Sequence, residues 1–478
     1  MSATPIPDNA ARFTPEELLE ATGGRWLARP TRAVEGVCLD TRRVAPGNLF
    51  VALRGETHDA HDYVDQAIAA GAHAVVVDRE IDAPESVGVL VVDDTLTALG
   101  DLAALHRRRF DVPVVCITGS VGKTTTKELV AAALTGLGHQ TVFTRGNLNN
   151  RVGVPMTLFT LDERHDAAVI EIGMNVPGEI ADLAAMARPT VGVVTAVAPV
   201  HTEGVGGLEG VAREKGALLE ALAPEGAAVW FVDDAPLAAY AERSPAGTKI
   251  GYGTVEGADV RLSRWELEAD GRTQAHVTWE GGQVDLSLSL LGQAAAINAT
   301  GAIAVVRALA PEKVEAGAAA LTHVPQPPHR MATVPMADGL LVIDDAYNAS
   351  PRSMEAALDT AAALAGARGG KLIAVLGDML ELGRYEEPAH AEVGREAVRV
   401  GAAHLIACGE RMAHAGRAAL TATMERPAAS RTKIVLLKDA ADAAACVREV
   451  ARPEDVVLVK GSRGMRMERV VSALGGEG

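Results

Sequence analysis

Aromatic residues are scarce: Phe, Trp and Tyr together make up 3% of the 478 residues. The cores must therefore be packed from Val, Leu, Ile and Ala, which suits helices laid on parallel sheets. Positive charge is also in deficit. Forty-five Lys and Arg against 62 Asp and Glu leave a formal charge of −17, which argues against a nucleic-acid-binding surface, since gripping phosphate backbones needs clustered cations. The nearest basic run, His106-Arg107-Arg108-Arg109, closes a predicted helix, where cations suit the dipole. Cysteine is sparse and scattered: Cys38, Cys116, Cys408 and Cys446 form no CxxC and have no nearby His pattern. Free thiols in a reducing compartment are expected, with neither a metal nor a disulfide framework. Long apolar runs are missing as well. No stretch of about 18 uninterrupted apolar residues occurs, and MSATPIPDNAARFTPEEL at the start has no apolar targeting core. The expectation is a cytoplasmic protein with no membrane insertion.

What is present is a repeated alternation of apolar strands and 10–15-residue helical stretches, the pattern of βαβ units and mainly parallel sheets. At about 150 residues per domain the length suggests three domains. The strands NLFVALRG, AHAVVV and GVLVV belong to the first, which closes with the helix TLTALGDLAALHRRRF; the boundaries are placed at 1–111, 112–325 and 326–478. The second opens on VPVVCITG and continues through AAVIEIG, VGVVTAV and AAVWFV, with helices predicted from Lys123, over 178–187, 207–222 and 293–309. Residues 258–291 change to an alternating, turn-punctuated pattern with Asp270-Gly271 as a hairpin turn, an antiparallel flap on the parallel core. HVPQPPHR, rich in proline, is the linker. Strand and helix then alternate again through LLVIDDA, KLIAVLG, AHLIACG, KIVLLKD and DVVLVKGS, a second doubly wound domain.

The sharpest local signal is Gly119-Ser120-Val121-Gly122-Lys123-Thr124-Thr125, set between the strand VVCIT and the helix LVAAALTGLG. Strand, glycine turn and helix N-terminus aim backbone N–H groups and a positive dipole end at an anion. Lys123 would reach the β and γ phosphates, and the Thr124 hydroxyl would hold Mg²⁺. The spacing is a short GxxGKT, because Ile117 stands where the full phosphate-loop motif has its first glycine. A turn with a merely capping lysine is the alternative, but a lysine at a helix N-terminus opposes the dipole, and a bound phosphate removes that conflict.

Glu171 ends the strand AAVIEIG, where α/β sheets place ligand-binding groups, and could hold Mg²⁺. His201 follows the next strand and Lys215 lies on the helix after it; alone, a structural histidine and a solvated lysine are the ordinary readings. Asp344 and Asp345 end LLVIDD ahead of Tyr347, Asn348, Ser350 and Pro351, again at a ligand-binding strand end, or else as a turn and helix cap.

Taken together, TGSVGKTTTKE, GNLNNRVGVPMTL, EIGMNVPGEI, APVHTEG with AREKG, DDAYNASPRSM and VLGDMLELG resemble the ATP-dependent Mur ligases, over most of the chain from LDTRRVAPGNLFVALRG to VLVKGSRGMRMERVV. The resemblance implies an α/β protein of three domains: a small mixed N-terminal domain for the UDP-linked substrate, a central P-loop ATPase-like domain, and a C-terminal Rossmann-like domain that closes over the site. DDAYNASP-x-SM and GDMLELG point to the member that adds D-alanyl-D-alanine to UDP-N-acetylmuramoyl tripeptide through an acyl phosphate, giving the pentapeptide precursor of peptidoglycan. What the resemblance implies residue by residue is ATP at Gly119 to Thr125, with Asn298 at the adenine and Arg330 and Asp345 reaching the nucleotide across the domain gap. It implies two Mg²⁺ held by Thr124, Glu171, His201 and Lys215, the lysine open to carbamoylation. Thr41 and Arg42 would contact the UDP end, Asn149 and Asn150 the muramoyl peptide, and Tyr347, Asn348 and Ser350 the substrates. Lys123, Glu171, His201, Lys215 and Asp345 form the expected catalytic set. Ala196, Gln293 and the DTR around Thr41 depart from the family's usual residues. A monomer is expected. Two readings stay open beside this one: an amide ligase for another acceptor, of folate or poly-amino-acid type, and a nucleotide-dependent regulatory ATPase without ligation.

Overall fold

The computed structural model describes residues 4–55, 58–197 and 207–475. Their strands fall into three large sheets and one two-stranded pair. Among the described residues no helix is long and apolar enough to cross a membrane.

In the first sheet Val37–Cys38, Leu49–Val51, Ala74–Val77 and Gly88–Val91 run parallel, and Arg25–Ala28 joins the far edge antiparallel. The runs AVVV and GVLV are apolar because both faces of these strands are covered. The helix Thr95–Arg107 begins on Asp94, whose carboxylate accepts from the Thr97 N–H at 2.6 Å. Its last turn carries two of the basic residues read from sequence as a helix end, and both turn inward. His106 Nε2 meets the Leu161 carbonyl at 2.9 Å, and Arg107 Nε donates to the Ala187 carbonyl at 2.9 Å. Burial pushes the His106 pKa down to about 4, so its imidazole is neutral. Phe13, Phe110 and Phe159 surround it, concentrating half of the six phenylalanines where the first unit meets the second.

The central sheet has nine strands. Val114–Thr118 lies between Ala167–Glu171 and Val191–Val194, with Thr141–Phe143 beyond the former and Ala227–Phe231 and Thr248–Gly253 beyond the latter, all parallel. The chain leaves Val114–Thr118 in one direction and returns to its other side, so the switch point of the sheet falls at that strand's C-terminal end, where α/β proteins bind ligands. The segment read as a flap is built as Val260–Leu267, Thr273–Trp279 and Gly282–Leu288, an antiparallel meander that prolongs the same sheet. Its Asp270-Gly271 turn has Gly271 at φ +88°, a conformation that suits glycine.

The third sheet runs Ala332–Pro335, Leu341–Asp345, Val456–Lys460, Leu372–Gly377, His404–Cys408, Lys433–Leu437, parallel except for its first strand. That first strand was not anticipated from sequence. It pairs antiparallel to Leu341–Asp345 across a turn with Gly339 at φ +93°, and Pro335 is tolerated there because the strand is at an edge.

The third unit packs on the second. Leu291 joins the hydrophobic core around the helix Pro351–Ala367. Gly292 approaches that helix so closely that a Cβ would stand 2.5 Å from Thr360. Arg352 Nη1 donates to the Val197 carbonyl and to Asp234 Oδ1, each at 3.0 Å, while Asp234 Oδ2 accepts from the Val197 N–H at 2.6 Å.

Candidate active site

The loop after Val114–Thr118 is shaped by two glycines. Gly119 has φ +149°, and a Cβ there would stand 1.9 Å from the Thr195 hydroxyl; Gly122 has φ +90°, and its Cβ would stand 2.5 Å from Asn298 Oδ1. Both the dihedrals and the close neighbours demand glycine. Ser120 N–H donates to the Ala196 carbonyl at 2.7 Å, and the Thr195 hydroxyl donates to the Val121 carbonyl at 2.7 Å, so the loop is pinned to the neighbouring strand end. The helix Lys123–Gly136 starts at once from Gly122, leaving its first N–H groups aimed into the cleft. Lys123 Nζ folds back to donate to the Gly119 carbonyl at 2.7 Å. Burial and the nearby Arg330 lower its proton affinity, and Glu171 opposes them.

Glu171, at the end of the neighbouring strand, is 1% exposed. One carboxylate oxygen accepts from Asn149 Nδ2 at 2.8 Å. The other, Oε2, is buried with no hydrogen-bond partner. A buried carboxylate oxygen left unmatched is costly unless a cation or donor arrives. Lys215 lies in the same pocket on the helix Gly207–Glu220, its pKa lowered to about 7 by burial and by the charge of Lys123.

The opposite wall comes from the third unit. Asp345 and Lys460 are register partners at the C-terminal ends of adjacent parallel strands. Lys460 Nζ donates to Asp345 Oδ2 at 2.6 Å and to the Asn348 carbonyl at 2.9 Å. Burial pushes the Asp345 pKa up, and Lys460 pulls it back. Asp345 Oδ1 also accepts from the Met331 N–H at 3.1 Å, fixing the segment that carries Arg330. His329 and Met331, on either side of Arg330, have φ +58° and +57°, rare values for such residues, held here by the Asp344–His329 contact of 2.7 Å and by Asp345. The Arg330 guanidinium sits 3.9 Å from the Tyr347 ring centre.

One cavity of about 380 Å³ gathers these groups, and the predicted residues Gly119, Ser120, Val121, Gly122, Lys123, Thr124, Thr125, Asn149, Asn150, Glu171, Lys215, Asn298, Arg330, Asp345, Tyr347, Asn348 and Ser350 all line it. His201 lies outside the described residues. Thr41 and Arg42 are not brought there: they sit on the turn Thr41–Arg43 of the first unit, with the Arg42 side chain exposed and paired with Asp40 at 2.6 Å. Two lining residues also hold backbone. Asn150 Oδ1 accepts from the Val152 and Gly153 N–H groups, and Ser350 caps the helix Pro351–Ala367 in a reciprocal pair with Ser353. Lys460 was missed from sequence. Its signal was a lysine ending the otherwise apolar, fully buried strand VVLVK.

The Lys460–Asp345 pair is buried, so removing one partner leaves an uncompensated charge. Lys460→Met is expected to lower unfolding stability by about 3–5 kcal/mol, read by urea denaturation. A loss under about 1 kcal/mol would mean that Asp345 is already neutral.

A phosphate loop at the switch point of a parallel sheet, closed by a Rossmann-like unit that supplies its own carboxylate and cations, defines a nucleotide-dependent group-transfer enzyme. The chain matches the Mur ligase middle domain over residues 117–306, the Mur ligase glutamate ligase domain over 329–463 and the Mur ligase family catalytic domain over 33–107. It belongs to the Mur ligase family, and is an ATP-dependent amide-bond-forming ligase. It is 38% identical over 458 residues to the UDP-N-acetylmuramoyl-tripeptide–D-alanyl-D-alanine ligase of Escherichia coli (strain K12), covering 92% of this chain and 94% of that protein. The ligase of the same name from Bacillus subtilis (strain 168) is 35% identical over 444 residues, covering 92% and 93%. Among solved structures, a crystal structure of MurF from Acinetobacter baumannii superposes with a TM-score of 0.87 at 31% identity, covering 98% of this chain and all of that one. MurF ligase from Thermotoga maritima in complex with ADP gives 0.80 at 27% identity, covering 92% and 97%.

Proposed function

We propose that this chain joins D-alanyl-D-alanine to UDP-N-acetylmuramoyl tripeptide, using ATP to activate the tripeptide's terminal carboxylate, and so makes the pentapeptide precursor of peptidoglycan. The observation that carries this reading is the single cavity in which a phosphate loop, an unmatched buried carboxylate and a buried lysine face the Asp345–Lys460 wall. The names of the relatives from Escherichia coli and Bacillus subtilis supply the substrates, and the ADP bound by the Thermotoga protein supports ATP as the nucleotide.

A carboxylate is a poor acyl donor because oxide would have to leave. The tripeptide carboxylate attacks the γ-phosphorus in line, ADP departs, and an acyl phosphate forms. The amine of D-alanyl-D-alanine then attacks the acyl carbon, and phosphate leaves from the tetrahedral intermediate. Lys123 and the N–H groups of Gly119 to Thr125 take up charge that spreads over the phosphoryl oxygens. Asn298, pressed against Gly122, lies at the adenine side of the loop, and Arg330 and Asp345 reach the nucleotide from the third unit.

The donor set fits Mg²⁺: Glu171 Oε2 is an unpaired hard oxygen. Thr124, Glu171, His201 and Lys215 would hold two ions. When bound, they neutralise phosphoryl charge as Lewis acids. Lys215, with a pKa near 7, has a large neutral share at neutral pH, and a neutral amine can add CO₂ to give a carbamate with release of one proton. Asn149 and Asn150 face the muramoyl peptide; Tyr347, Asn348 and Ser350 line its reacting end; Thr41 and Arg42 contact the UDP end from the first unit. The three units are taken as 1–111, 112–325 and 326–478, each containing one large sheet. A monomer in the cytoplasm, where ATP and reduced thiols are found, suits four free cysteines.

The test is product mass. Incubation with ATP, Mg²⁺, UDP-muramoyl tripeptide and D-alanyl-D-alanine is expected to yield the dipeptide adduct, less one water, with one ADP and one phosphate per bond. Phosphate release that answers to glutamate and not to D-alanyl-D-alanine would give the reaction to another acceptor. ATP hydrolysis indifferent to any amine would leave a regulatory ATPase.

A further inference from the structure

Tyr347 is approached by two cations. Arg330 stands 3.9 Å from its ring centre and the Arg463 guanidinium 5.0 Å. Among the described residues neither guanidinium is in an ion pair. Arg330 lines the cavity, and its charge is felt at Lys123, which puts it beside the glycine loop. Arg463 is different. It is exposed, it does not line the cavity, and it reaches the ring from the turn Arg463–Met465, three residues beyond Lys460.

That turn is held rigidly. Ser462 N–H donates to the Asp378 carbonyl at 3.0 Å, and the Ser462 hydroxyl accepts from the Leu380 N–H at 2.9 Å. A Cβ on Gly464 would stand 2.9 Å from the Leu380 side chain, and Arg466 ends the turn at φ +51°. A cation placed over a ring face by such a scaffold keeps its N–H edge free for an anion.

Among the anions of the proposed reaction that take no part in the bond changes, the one carried by the acceptor dipeptide is its free carboxylate. The reacting end of that dipeptide is its amine. Two extended residues span at most about 7 Å, so the carboxylate must be met within about that distance of the acyl carbon, in the cavity or at its rim. In a chain of formal charge −17 the carboxylate end of the acceptor also needs a local cation to receive it. A planar guanidinium takes a carboxylate through two parallel hydrogen bonds.

We propose that Arg463 determines acceptor specificity by binding the free carboxylate of the incoming dipeptide beside Tyr347. The proposal rests on the ligase reading above and adds the group that distinguishes a dipeptide acid from other amines.

The experiment is steady-state kinetics of Arg463→Ala, Arg463→Lys and Arg463→Met, with D-alanyl-D-alanine and its C-terminal amide as acceptors; the methionine keeps an apolar stem over Tyr347. Arg463→Ala and Arg463→Met are expected to raise KM for D-alanyl-D-alanine about tenfold to hundredfold, the range a charge-assisted hydrogen bond supplies, with kcat changed less than about twofold. The lysine is expected to recover part of the loss. KM for ATP and for UDP-muramoyl tripeptide stays unchanged. Wild type prefers the acid to the amide by a similar factor, and the alanine and methionine variants lose that preference. Variants that keep the preference, or whose defect lies in KM for ATP or the tripeptide, overturn the assignment of Arg463 alone. A wild type that releases no phosphate in response to D-alanyl-D-alanine overturns the ligase reading and this inference with it.

Discussion

Lys123→Ala is expected to reduce D-alanyl-D-alanine-dependent phosphate release by roughly 10³-fold, the scale of losing a preorganised charge that meets the transition state. Without nucleotide Lys123 Nζ rests on the Gly119 carbonyl at 2.7 Å and reaches the Ser120 carbonyl at 3.5 Å, so it is already held at the loop. Burial and Arg330 both press it to release its proton, and Glu171 favours keeping it. An incoming polyphosphate adds negative charge beside the ammonium, so the lysine is a cation when the phosphoryl group moves. Because that charge spreads most at the transition state, kcat should fall much further than ATP affinity, which equilibrium nucleotide titration measures separately. Lys123→Arg should not rescue, since a rigid fork does not replace a compact ammonium in a pocket lined by loop carbonyls. Turnover of the alanine variant within about threefold of wild type would remove the phosphate loop from the mechanism.

Lys215→Ala is expected to cost roughly 10²-fold in kcat, and the more specific readout is CO₂. The Lys215 pKa is lowered from the ordinary lysine value of 10.5 to about 7, first by burial, then by Lys123, with Glu214, Glu171 and Glu179 opposing. Only the neutral amine adds CO₂. Below about pH 7 the neutral share falls about tenfold per unit, so wild-type activity at limiting CO₂ should drop as pH falls through 7 and recover on adding bicarbonate. Lys215→Ala should show no such recovery. Stability gives an independent check in metal-free, CO₂-free buffer. Between a folded pKa of about 7 and an unfolded one near 10.5 the unfolded chain binds more protons, so stability rises with pH across that window, and the penalty of the buried charge is complete below it. Lys215→Met should therefore melt higher than wild type at about pH 6, with the difference fading towards about pH 10. Equal melting curves across that range would show that Lys215 does not titrate as its burial implies.

The glycine loop could be read from the chain because its conformation is local: a strand, two glycines with left-handed backbone and a helix N-terminus lie within a dozen residues. The same holds for Glu171 and Asp345, since a carboxylate ending an apolar strand has a predictable place at the sheet's C-terminal edge. Ser350 and Asn150 were legible only in part. Both residues line the cavity, yet Ser350 also caps the helix Pro351–Ala367, which the Ser-Pro pair allowed, and Asn150 Oδ1 also accepts from the Val152 and Gly153 N–H groups. Lys460 and Arg463 were not singled out. Beyond the lysine that ends the apolar strand VVLVK, no local pattern marks them, because their partners Asp345 and Tyr347 lie more than a hundred residues earlier and meet them only when Leu341–Asp345 pairs with Val456–Lys460.

From its sequence alone this protein's strand–helix alternation, its phosphate loop and its family could be established, because periodicity, glycine placement and helix dipoles act over short stretches of chain. Tertiary structure decided which charges face one another: that Glu171 keeps an oxygen unmatched, that Lys215 and Lys123 share a pocket, and that Asp345 is held by Lys460. Burial and pairing are sums over neighbours distant in sequence, and only the packed sheets bring those neighbours together.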